Sequence, residues 1–345
     1  MDGVSLVICC HNSSKKLEET LKHVSRQKFS SEVPWELIIV DNASTDLTSE
    51  MATAITQGAT YNCRIVTEGK VGLKNARLKG IVESKYDLIS FIDDDNWICE
   101  SWIENVHNIM SNRPEIGACG GIGLPKFETS PPDWFELQQG SYAVGLQAES
   151  TGYIPDSRGY LWGAGLTIRR SAMDEIIQNG FCFSLTGRHG ASISSGEDTE
   201  LCLALRCLGW RLWYDESLSY YHYLPSSRLS WSYLKRLQFS FGASSVVLNA
   251  YNECLLYNPE TIQNHKKLWI ADSMALTKSF FARDGHLFSF ICAKEGSSDA
   301  LFGYYRLGRL LQIISLRHKY DELKNSIFAF WQRASSIRTY RTGSG

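Results

Sequence analysis

Residues 87–97 read Asp87-Leu88-Ile89-Ser90-Phe91-Ile92-Asp93-Asp94-Asp95-Asn96-Trp97. The apolar part of this run predicts a buried β-strand, and three acids follow it directly. Adjacent carboxylates repel one another, so the triplet is costly in a folded chain unless something positive lies beside it. A hard divalent cation with oxygen ligands suits such a site. We therefore expect Asp93 and Asp95 to bind Mg²⁺ or Mn²⁺ that bridges phosphates, with Asp94 turned away by the alternation of an extended chain. An exposed acidic turn that caps a helix is the alternative.

Strand and helix signals alternate over the first hundred residues. The predicted strands are Val4–Cys10, Trp35–Val40, Cys63–Val66 and Tyr86–Ile92, and the predicted helices include Thr45–Thr56 and Gly72–Glu83. This alternation predicts an α/β fold whose sheet is mainly parallel and flanked by helices. In such sheets ligands bind at the carboxyl ends of the strands, where the acidic triplet lies.

The pattern changes twice further along the chain. Residues 112–160 are rich in Pro and Gly and predict a strand or two within a long irregular segment. Regular signals then return; they predict strands at Leu161–Arg169 and Trp210–Asp215, and helices at Ser171–Asn179 and Gly196–Leu208. Beyond Leu229 the pattern is helical. We therefore predict a catalytic domain over 1–225, with halves 1–110 and 111–225, and a helical C-terminal extension over 226–341.

Composition limits the function classes. The chain has 345 residues, of which 43% are hydrophobic and 21% charged, and a formal net charge of −2. These values argue against a disordered chain and against nucleic acid as a partner bound by bulk positive charge. The ten cysteines form no CxxC pair, so we expect no zinc site and a reducing compartment. Because neither a signal peptide nor a long apolar span is visible, we expect a cytoplasmic protein. A peripheral position on the inner face of the cell membrane is left open.

Two further motifs point toward a nucleotide. Asp41 ends the second predicted strand and is followed by Asn42-Ala43-Ser44. A carboxylate there can accept hydrogen bonds from a base or ribose, or it can simply form a turn. The first strand ends in Cys9-Cys10-His11-Asn12, whose backbone groups can face the same base. At Gly72, a helix begins that carries Lys74 and Arg77, either of which can approach a phosphate or lie in solvent.

Two motifs in the second half carry titratable groups. In Ser195-Gly196-Glu197-Asp198-Thr199-Glu200, acids fill the first turn of a predicted helix. One of them can act as a general base, although favourable capping of the helix dipole explains the same pattern. His222 follows the strand Trp210–Asp215 and can complete a metal site or be a buried structural histidine.

Taken together, these motifs resemble family 2 glycosyltransferases. The resemblance covers about residues 4–225 and is carried by Ser5–Asn12, Ile38–Asp46, Gly72 to Gly80, Phe91–Asp95, Gly163-Ala164-Gly165 and Gly196–Leu201, in the family's order. It implies a GT-A fold, a nucleotide-sugar donor, a divalent metal, and inversion at the anomeric carbon. Cys9-Cys10-His11 departs from the family, which usually has Pro-Thr-Tyr before the Asn.

Carried over residue by residue, the resemblance implies specific roles. Asp198 would be the catalytic base, and Glu197 would support it or touch the acceptor. Asp93 and Asp95 would be the metal-binding pair, joined by His222. The implied donor contacts are Cys10, Asn12, Asp41, Asn42, Lys74, Arg77, Asp93 and Asp94, and the implied acceptor contacts are Trp162, Gly163 and Glu197.

The sequence is less informative about the acceptor site and about the C-terminal extension. The irregular stretch 125–160 and its neighbourhood offer aromatic side chains for an acceptor wall, namely Trp134, Tyr142, Tyr153 and Trp162. The last hundred residues mix apolar residues with basic ones between Arg306 and Arg338. A basic amphipathic helix there can rest on anionic lipid, which would suit a lipid-linked glycan acceptor, or it can form a homodimer interface or pack on the catalytic domain.

We therefore expect an inverting, metal-dependent glycosyltransferase that moves a sugar from a UDP-sugar to an acceptor hydroxyl during polysaccharide or glycoconjugate synthesis. The first alternative is a sugar-phosphate nucleotidyltransferase. That class would need a Gly-rich loop after the first strand, and residues 9–14 contain no Gly. The second alternative is a non-catalytic protein that binds nucleotide sugars, against which the intact acids argue.

Overall fold

A computed structural model describes residues 1–30, 32–185, 187, 195–256, 268–282 and 293–342. Within these residues nine strands form a single sheet. The strands are β1 Val4–Cys10, β2 Trp35–Asp41, β3 Asn62–Thr67, β4 Leu88–Asp93, β5 Asn96–Ile98, β6 Ile116–Phe127, β7 Gly152–Tyr153, β8 Thr167–Arg169 and β9 Arg211–Leu224. Their order across the sheet is β3-β2-β1-β4-β8-β6-β9-β5, and β7 pairs with β9.

Helices cover both faces of the sheet and make up the C-terminal part. Those of the first half are α1 Leu17–Ser25, α2 Thr48–Thr56, α3 Leu73–Glu83 and α4 Trp102–Ser111. The next are α5 Phe135–Gln138, α6 Arg170–Gln178 and α7 Glu197–Cys207. The C-terminal helices are α8 Trp231–Leu256, α9 Leu268–Ala282, α10 Ser298–Leu316 and α11 Tyr320–Thr342. The predicted α/β class and the predicted C-terminal helices are confirmed.

The N-terminal half of the sheet is parallel, as predicted. Strand β1 lies between β2 and β4, and β2 pairs with β3, all in parallel register. Strands β1, β2 and β4 are apolar and almost completely buried because helices cover both of their faces, whereas β3 at the edge is partly exposed. The register places Cys10 beside Asp41 and Cys9 beside Asp93, so the acids that end β2 and β4 reach the same edge of the sheet.

The second half of the sheet is mixed. Strand β8 is antiparallel to β4 and β6, and β9 is parallel to β6 but antiparallel to β5. The predicted strand Leu161–Arg169 was too long, because the chain turns at Gly165, which has φ +69°, and only β8 is extended. The predicted strand Trp210–Asp215 was too short. Because β9 continues to Leu224 between β6 and β5, His222 lies within a strand rather than after one.

The C-terminal helices share the core of the sheet domain. One apolar cluster contains Val7 of β1, Leu203 of α7, Tyr251 of α8 and Phe330 of α11. Residues 1–225 and 226–341 are therefore packed on each other, and the boundary near 225 remains a prediction. In the described part of the chain, no helix is both long enough and apolar enough to cross a membrane.

Helices α8 and α10 cross in backbone contact. A Cβ atom added to Gly242 would lie 1.8 Å from the carbonyl oxygen of Tyr305, and one added to Gly308 would lie 2.0 Å from that of Phe239. Any larger side chain at either position would push the helices apart, so the two glycines fix how closely α10 holds α8.

Candidate active site

A cleft of about 880 Å³ opens at the carboxyl end of the parallel strands. Strand ends β1, β2 and β4 form its floor, the starts of α3 and α7 form two sides, and α8 forms a further wall. The lining includes Cys10, His11, Lys16, Asn42, Arg77, Asp93, Asp94, Asp95, Tyr142, Arg158, Trp162, Gly163, Glu197, Asp198, His222, Arg228, Tyr233 and Ser244. Most of the predicted site residues therefore share one cleft.

Asp94 is bound inside the protein. Its carboxylate accepts hydrogen bonds from Lys16 Nζ at 3.0 and 3.1 Å and from the hydroxyl of Ser13. Burial and the neighbouring Asp95 raise the pKa of Asp94, whereas Lys16 opposes that rise. The side chain lies against Ser13 and Lys16, just before α1, and also lines the cleft, so the predicted turn of Asp94 away from the site stays a prediction. Its assignment as a donor contact stays a prediction.

Asp95 forms a buried ion pair with a residue that sequence reasoning missed. The carboxylate is 3% exposed and lies 3.1 Å from Arg228 Nη1, with Lys16 Nζ at 4.0 Å. Burial alone would lower the pKa of Arg228, but Asp95 together with Tyr233, Asp94 and Asp93 outweighs that effect and the pKa is raised. Arg228 follows β9 in a short turn that lies beyond the region of resemblance, and no motif marked it.

His222 faces the same carboxylate. Its Nδ1 donates a hydrogen bond of 2.7 Å to the carbonyl oxygen of Tyr142, which leaves Nε2 as the acceptor nitrogen. That Nε2 lies 3.6 Å from Asp95 Oδ1 and 3.3 Å from Arg228 Nη1. Burial lowers the pKa of His222, and the lone pair on Nε2 of the neutral ring accepts a hydrogen bond from Arg228 beside Asp95.

The donor chemistry around Asp95 fits a divalent ion that arrives with a ligand. Asp95 and His222 approach each other, whereas Asp93 is 34% exposed and lies 4.0 Å from Arg77 Nη2. No group of three or more His, Cys, Asp or Glu in the described ranges is close enough to enclose an ion. Mg²⁺ is commonly held by one or two carboxylates together with substrate phosphates, so two protein ligands are sufficient for such a site.

Asp198, unlike Asp95, is held by hydrogen bonds from backbone amides. Its Oδ2 accepts a hydrogen bond of 2.5 Å from the amide of Gly163, and its Oδ1 accepts one of 2.8 Å from the amide of Thr199. It lies in the first turn of α7, where the helix dipole favours a carboxylate. A Cβ on Gly163 would come within 2.6 Å of Arg77 Nη2 and 2.9 Å of Asp198 Oδ2, so only glycine fits there.

Arg77 connects the two carboxylate regions. Its Nη1 lies 3.2 Å from Glu197 Oε1, and its Nη2 donates to the carbonyl oxygen of Gly163 at 3.4 Å. Burial would lower the pKa of Arg77, but Glu197 and Asp93, together with Asp198 and Cys9, outweigh it and the pKa is raised. The guanidinium is therefore placed between Asp93 and Glu197.

The predicted nucleoside contacts divide into two groups. Cys10 and Asn42 line the cleft, and the Asn42 side chain binds Lys70 O at 2.8 Å and Gly72 N at 2.7 Å. Asp41 does not line it, since its Oδ1 accepts from Ser44 N at 3.0 Å.

Asn12 and Lys74 also lie outside the lining of the cleft. The side-chain oxygen of Asn12 accepts a 2.8 Å hydrogen bond from Thr45 N, and Asn12 itself has a positive φ of 52°. Lys74 borders a separate small cavity beside Glu197 and Leu201. In this conformation Asn12 shapes the loop after β2, and its predicted donor contact and that of Lys74 stay predictions.

The aromatic side chains predicted for the acceptor wall also divide. Tyr142 and Trp162 line the cleft. Trp134 instead packs against Trp231 in a separate apolar cluster. Tyr153 packs edge-on against Trp213 on the outer strand. Neither residue lines the cleft. Trp134 is part of a core, the alternative that the sequence left open, and Tyr153 is exposed on the outer strand.

Glu200 is a third buried carboxylate near this cleft. It is 0% exposed and accepts hydrogen bonds from the amides of Ser184 and Leu185 at 2.9 Å each. Burial raises its pKa to about 7, partly offset by these two amides. It anchors the chain before α7 rather than facing the cleft.

Sequence comparison identifies the family. The profile of glycosyl transferase family 2 matches residues 5–177. The chain belongs to this family. It is a glycosyltransferase. The matched residues include strands β1 to β4, the acidic triplet and Gly163. Three residues of the cleft lie beyond the match, namely Asp198, His222 and Arg228.

Individual relatives agree with this assignment. A glucosyl-dolichyl phosphate glucuronosyltransferase of Haloferax volcanii is 23% identical over 251 residues, which cover 71% of this chain and 77% of that protein. A poly-beta-1,6-N-acetyl-D-glucosamine synthase of Staphylococcus aureus is 26% identical over 121 residues, which cover 35% of this chain and 28% of the synthase. Among solved structures, S. aureus TarS 1-349 in complex with UDP-GlcNAc is similar with a TM-score of 0.54 and 14% identity, covering 99% of this chain and 92% of that one. This likeness confirms the GT-A fold.

Proposed function

We propose that the protein transfers a sugar from a nucleotide sugar, a UDP-sugar, to an acceptor hydroxyl, with a divalent metal and with inversion at the anomeric carbon. One observation carries the proposal. Arg77 lies 4.0 Å from Asp93 and 3.2 Å from Glu197, so the acidic triplet and the α7 acids face one cleft on either side of a single guanidinium. In that arrangement a donor diphosphate at the triplet would face an acceptor hydroxyl at the α7 acids.

The leaving diphosphate would lie at the acidic corner. Asp95 and His222 would hold Mn²⁺ or Mg²⁺, with Asp93 close by, and the ion would offset the charge that grows on the diphosphate. Lys16, Arg77 and Arg228 add three buried or half-buried cations around this corner. Together they can balance both the carboxylates and an incoming anion.

Asp198 would be the general base. Its two backbone hydrogen bonds fix the carboxylate at the wall of the cleft, and Arg77, which interacts with it electrostatically, makes its ion pair with Glu197. This arrangement suits a group that must accept a proton. It would take the proton of the acceptor hydroxyl while that oxygen attacks the anomeric carbon from the face opposite the diphosphate. A single displacement inverts that carbon and needs no nucleophile from the enzyme.

Donor and acceptor classes are inferred from similar proteins. A UDP-GlcNAc complex of TarS supports a UDP-sugar, and the two sequence relatives support a glycan or lipid-linked glycan acceptor in polysaccharide or glycoconjugate synthesis. We also propose a cytoplasmic location in which α10 rests against the inner membrane face. Exposed Leu311 and Ile314, which share one side of α10, support this contact, although a homodimer can cover the same residues.

The function is tested by measuring UDP release from UDP-GlcNAc, UDP-glucose and UDP-glucuronate with Mn²⁺, with Mg²⁺ and with EDTA. We expect release from one donor, its loss in EDTA, and an inverted anomer in the product by NMR. Pyrophosphate released from UTP and a sugar 1-phosphate would instead support a nucleotidyltransferase. UDP binding without turnover of any donor would support a non-catalytic binding protein.

A further inference from the structure

Arg158 differs from the other cationic side chains of the cleft. Within the ranges that the structure describes, Lys16, Arg77, Arg158 and Arg228 are the lysines and arginines of the lining. Lys16, Arg77 and Arg228 each have a carboxylate oxygen within 4.0 Å. Arg158 has no such carboxylate among the described residues and binds only neutral groups, Tyr160 O at 3.2 Å and Gln147 Oε1 at 3.5 Å.

The Arg158 guanidinium is nevertheless held firmly. Its Cζ lies 5.0 Å from the ring centroid of Tyr160 and 5.0 Å from that of Trp162. Both rings line the cleft, so the cation is placed between two aromatic faces at the wall. Its Nε and Nη2 bind the neutral groups, and Nη1 makes no hydrogen bond to a described residue. A guanidinium with spare donors is suited to bidentate binding of an oxyanion.

Arg158 is also tied to the position of the proposed base. Gln147, which is 1% exposed, accepts from Arg158 and, at 2.8 Å, from the amide of Trp162. The next amide along the chain, that of Gly163, donates to Asp198. Arg158 and Asp198 are therefore linked through the consecutive amides of Trp162 and Gly163 in one wall of the cleft.

We propose that Arg158 binds an anionic group, a phosphate or a carboxylate, that the acceptor carries near the hydroxyl facing Asp198. This inference rests on the proposed function. It states which acceptors the enzyme takes: glycans or glycolipids with negative charge close to the accepting sugar. The rings of Tyr160 and Trp162 pack on the apolar face of the same sugar.

The test uses methyl phosphate as the probe, titrated into the full-length protein that is already saturated with UDP and Mn²⁺. Calorimetry should give a Kd on the order of 1 mM for the unaltered protein. In R158Q the affinity for methyl phosphate should fall at least tenfold, because the glutamine lacks the charge. R158K should lie between them, since lysine keeps the charge but loses the fork of donors.

The control variant is R211Q. Arg211 also packs on an aromatic ring, that of Tyr153, but does not line the cleft. R211Q should bind methyl phosphate as the unaltered protein does, and all three variants should bind UDP equally. UDP affinity thus serves as the check on folding, and R158K decides the test if R158Q does not fold.

Three outcomes would overturn the inference. The first is no binding of methyl phosphate to the UDP-saturated protein. The second is equal binding in R158Q. The third is a loss of affinity of R158Q for UDP-glucuronate but not for UDP-glucose, which would mean that Arg158 binds a charged donor sugar. Failure of the unaltered protein to bind UDP would instead count against the proposed function, so the two failures are distinguishable.

Discussion

Asp95 and Asp198 are two carboxylates of one cleft that are stabilised by opposite means. Asp95 is 3% exposed and paired with the buried cation Arg228 at 3.1 Å. Asp198 accepts hydrogen bonds from the amides of Gly163 and Thr199. An ion pair fixes a charge against another charge, whereas amide dipoles fix the position of a carboxylate. Arg77 interacts electrostatically with Asp198 but makes its ion pair with Glu197. The ion pair at Asp95 suits a carboxylate that can exchange a protein cation for a metal ion. The amide hydrogen bonds at Asp198 suit a general base.

The largest expected effect is a loss of sugar transfer without a loss of donor binding, in a variant of Asp198. D198N should lower the rate of sugar transfer by about 10²–10⁴-fold, because the amide cannot accept the proton. UDP affinity should change less than threefold, since the amide side chain still accepts from Gly163 and the diphosphate binds elsewhere. Turnover of the preferred donor and calorimetry with UDP measure the two quantities.

The matched control for D198N is D156N, which removes an exposed carboxylate beside Arg206. It should leave both the transfer rate and UDP affinity unchanged. Normal turnover in D198N would remove Asp198 from its role as base.

The second effect is on stability and concerns Asp95. D95N leaves Arg228 buried without its carboxylate, which should lower the free energy of unfolding by about 3–5 kcal/mol. The metal dependence of UDP binding should also disappear. Urea denaturation without metal measures the first effect, and UDP titration with and without Mn²⁺ measures the second.

A double variant sharpens the D95N test. In D95N/R228M no buried charge lacks its partner, so much of the lost stability should return. A loss below about 1 kcal/mol in D95N alone would show that the ion pair is not the main stabiliser of this corner.

The third predicted effect is a change of stability with pH, and it concerns Glu200. This carboxylate accepts hydrogen bonds from backbone amides, as Asp198 does, but it is completely buried. Its pKa is about 7 in the folded protein and near 4.5 in an ordinary environment. Between these values the folded protein keeps a proton that the unfolded chain has lost. Raising the pH from 4.5 to 7 should therefore lower the free energy of unfolding by about 3 kcal/mol through this group, with no further change above pH 7.

E200Q removes this titration and keeps a side-chain oxygen for one amide. Urea denaturation at pH 5 and pH 8 should show a smaller loss of stability in E200Q than in the unaltered protein. Equal losses in both proteins would show that burial of Glu200 does not raise its pKa.

The smallest expected effect comes from a substitution that shifts the Asp198 carboxylate but keeps it. G163A brings a methyl group within 2.9 Å of Asp198 Oδ2 and 2.6 Å of Arg77 Nη2. We expect a loss of about 1–3 kcal/mol in unfolding free energy and a slower transfer. G69A is the control, because a Cβ at Gly69 has no neighbour within 4 Å. If both variants unfold alike and transfer alike, the close packing at Gly163 has no functional role.

The parallel half of the fold was predictable because its strands are buried on both faces. Strand β1 was predicted with both ends correct, and the apolar run of β4 placed the acids at the edge of the sheet. Burial on both faces leaves a continuous apolar run that a sequence shows directly. The motif that contains Asp198 was located for a related reason, since the acids in the first turn of a helix lie next to one another in the chain.

The pairing at Asp95 could not be predicted in the same way. Arg228 is far from it in sequence and belongs to a short turn that begins where the motifs end. Its contact depends on β9 continuing to Leu224, and the polar residues of that strand concealed its length. Lys16 and Arg158 were missed for the same physical reason. A long cationic side chain can reach a cleft or lie in solvent, and its local sequence does not distinguish the two.

The backbone contact between α8 and α10 at Gly242 and Gly308 has a consequence for selectivity. Because α8 forms a wall of the cleft and α10 holds it at a fixed distance, that wall cannot retreat to admit a bulkier acceptor. A change of acceptor range then has to come from the side chains that α8 presents, such as Tyr233 and Phe241. Exchanging those residues alone would offer a route to an enzyme that accepts glycans with a different degree of branching.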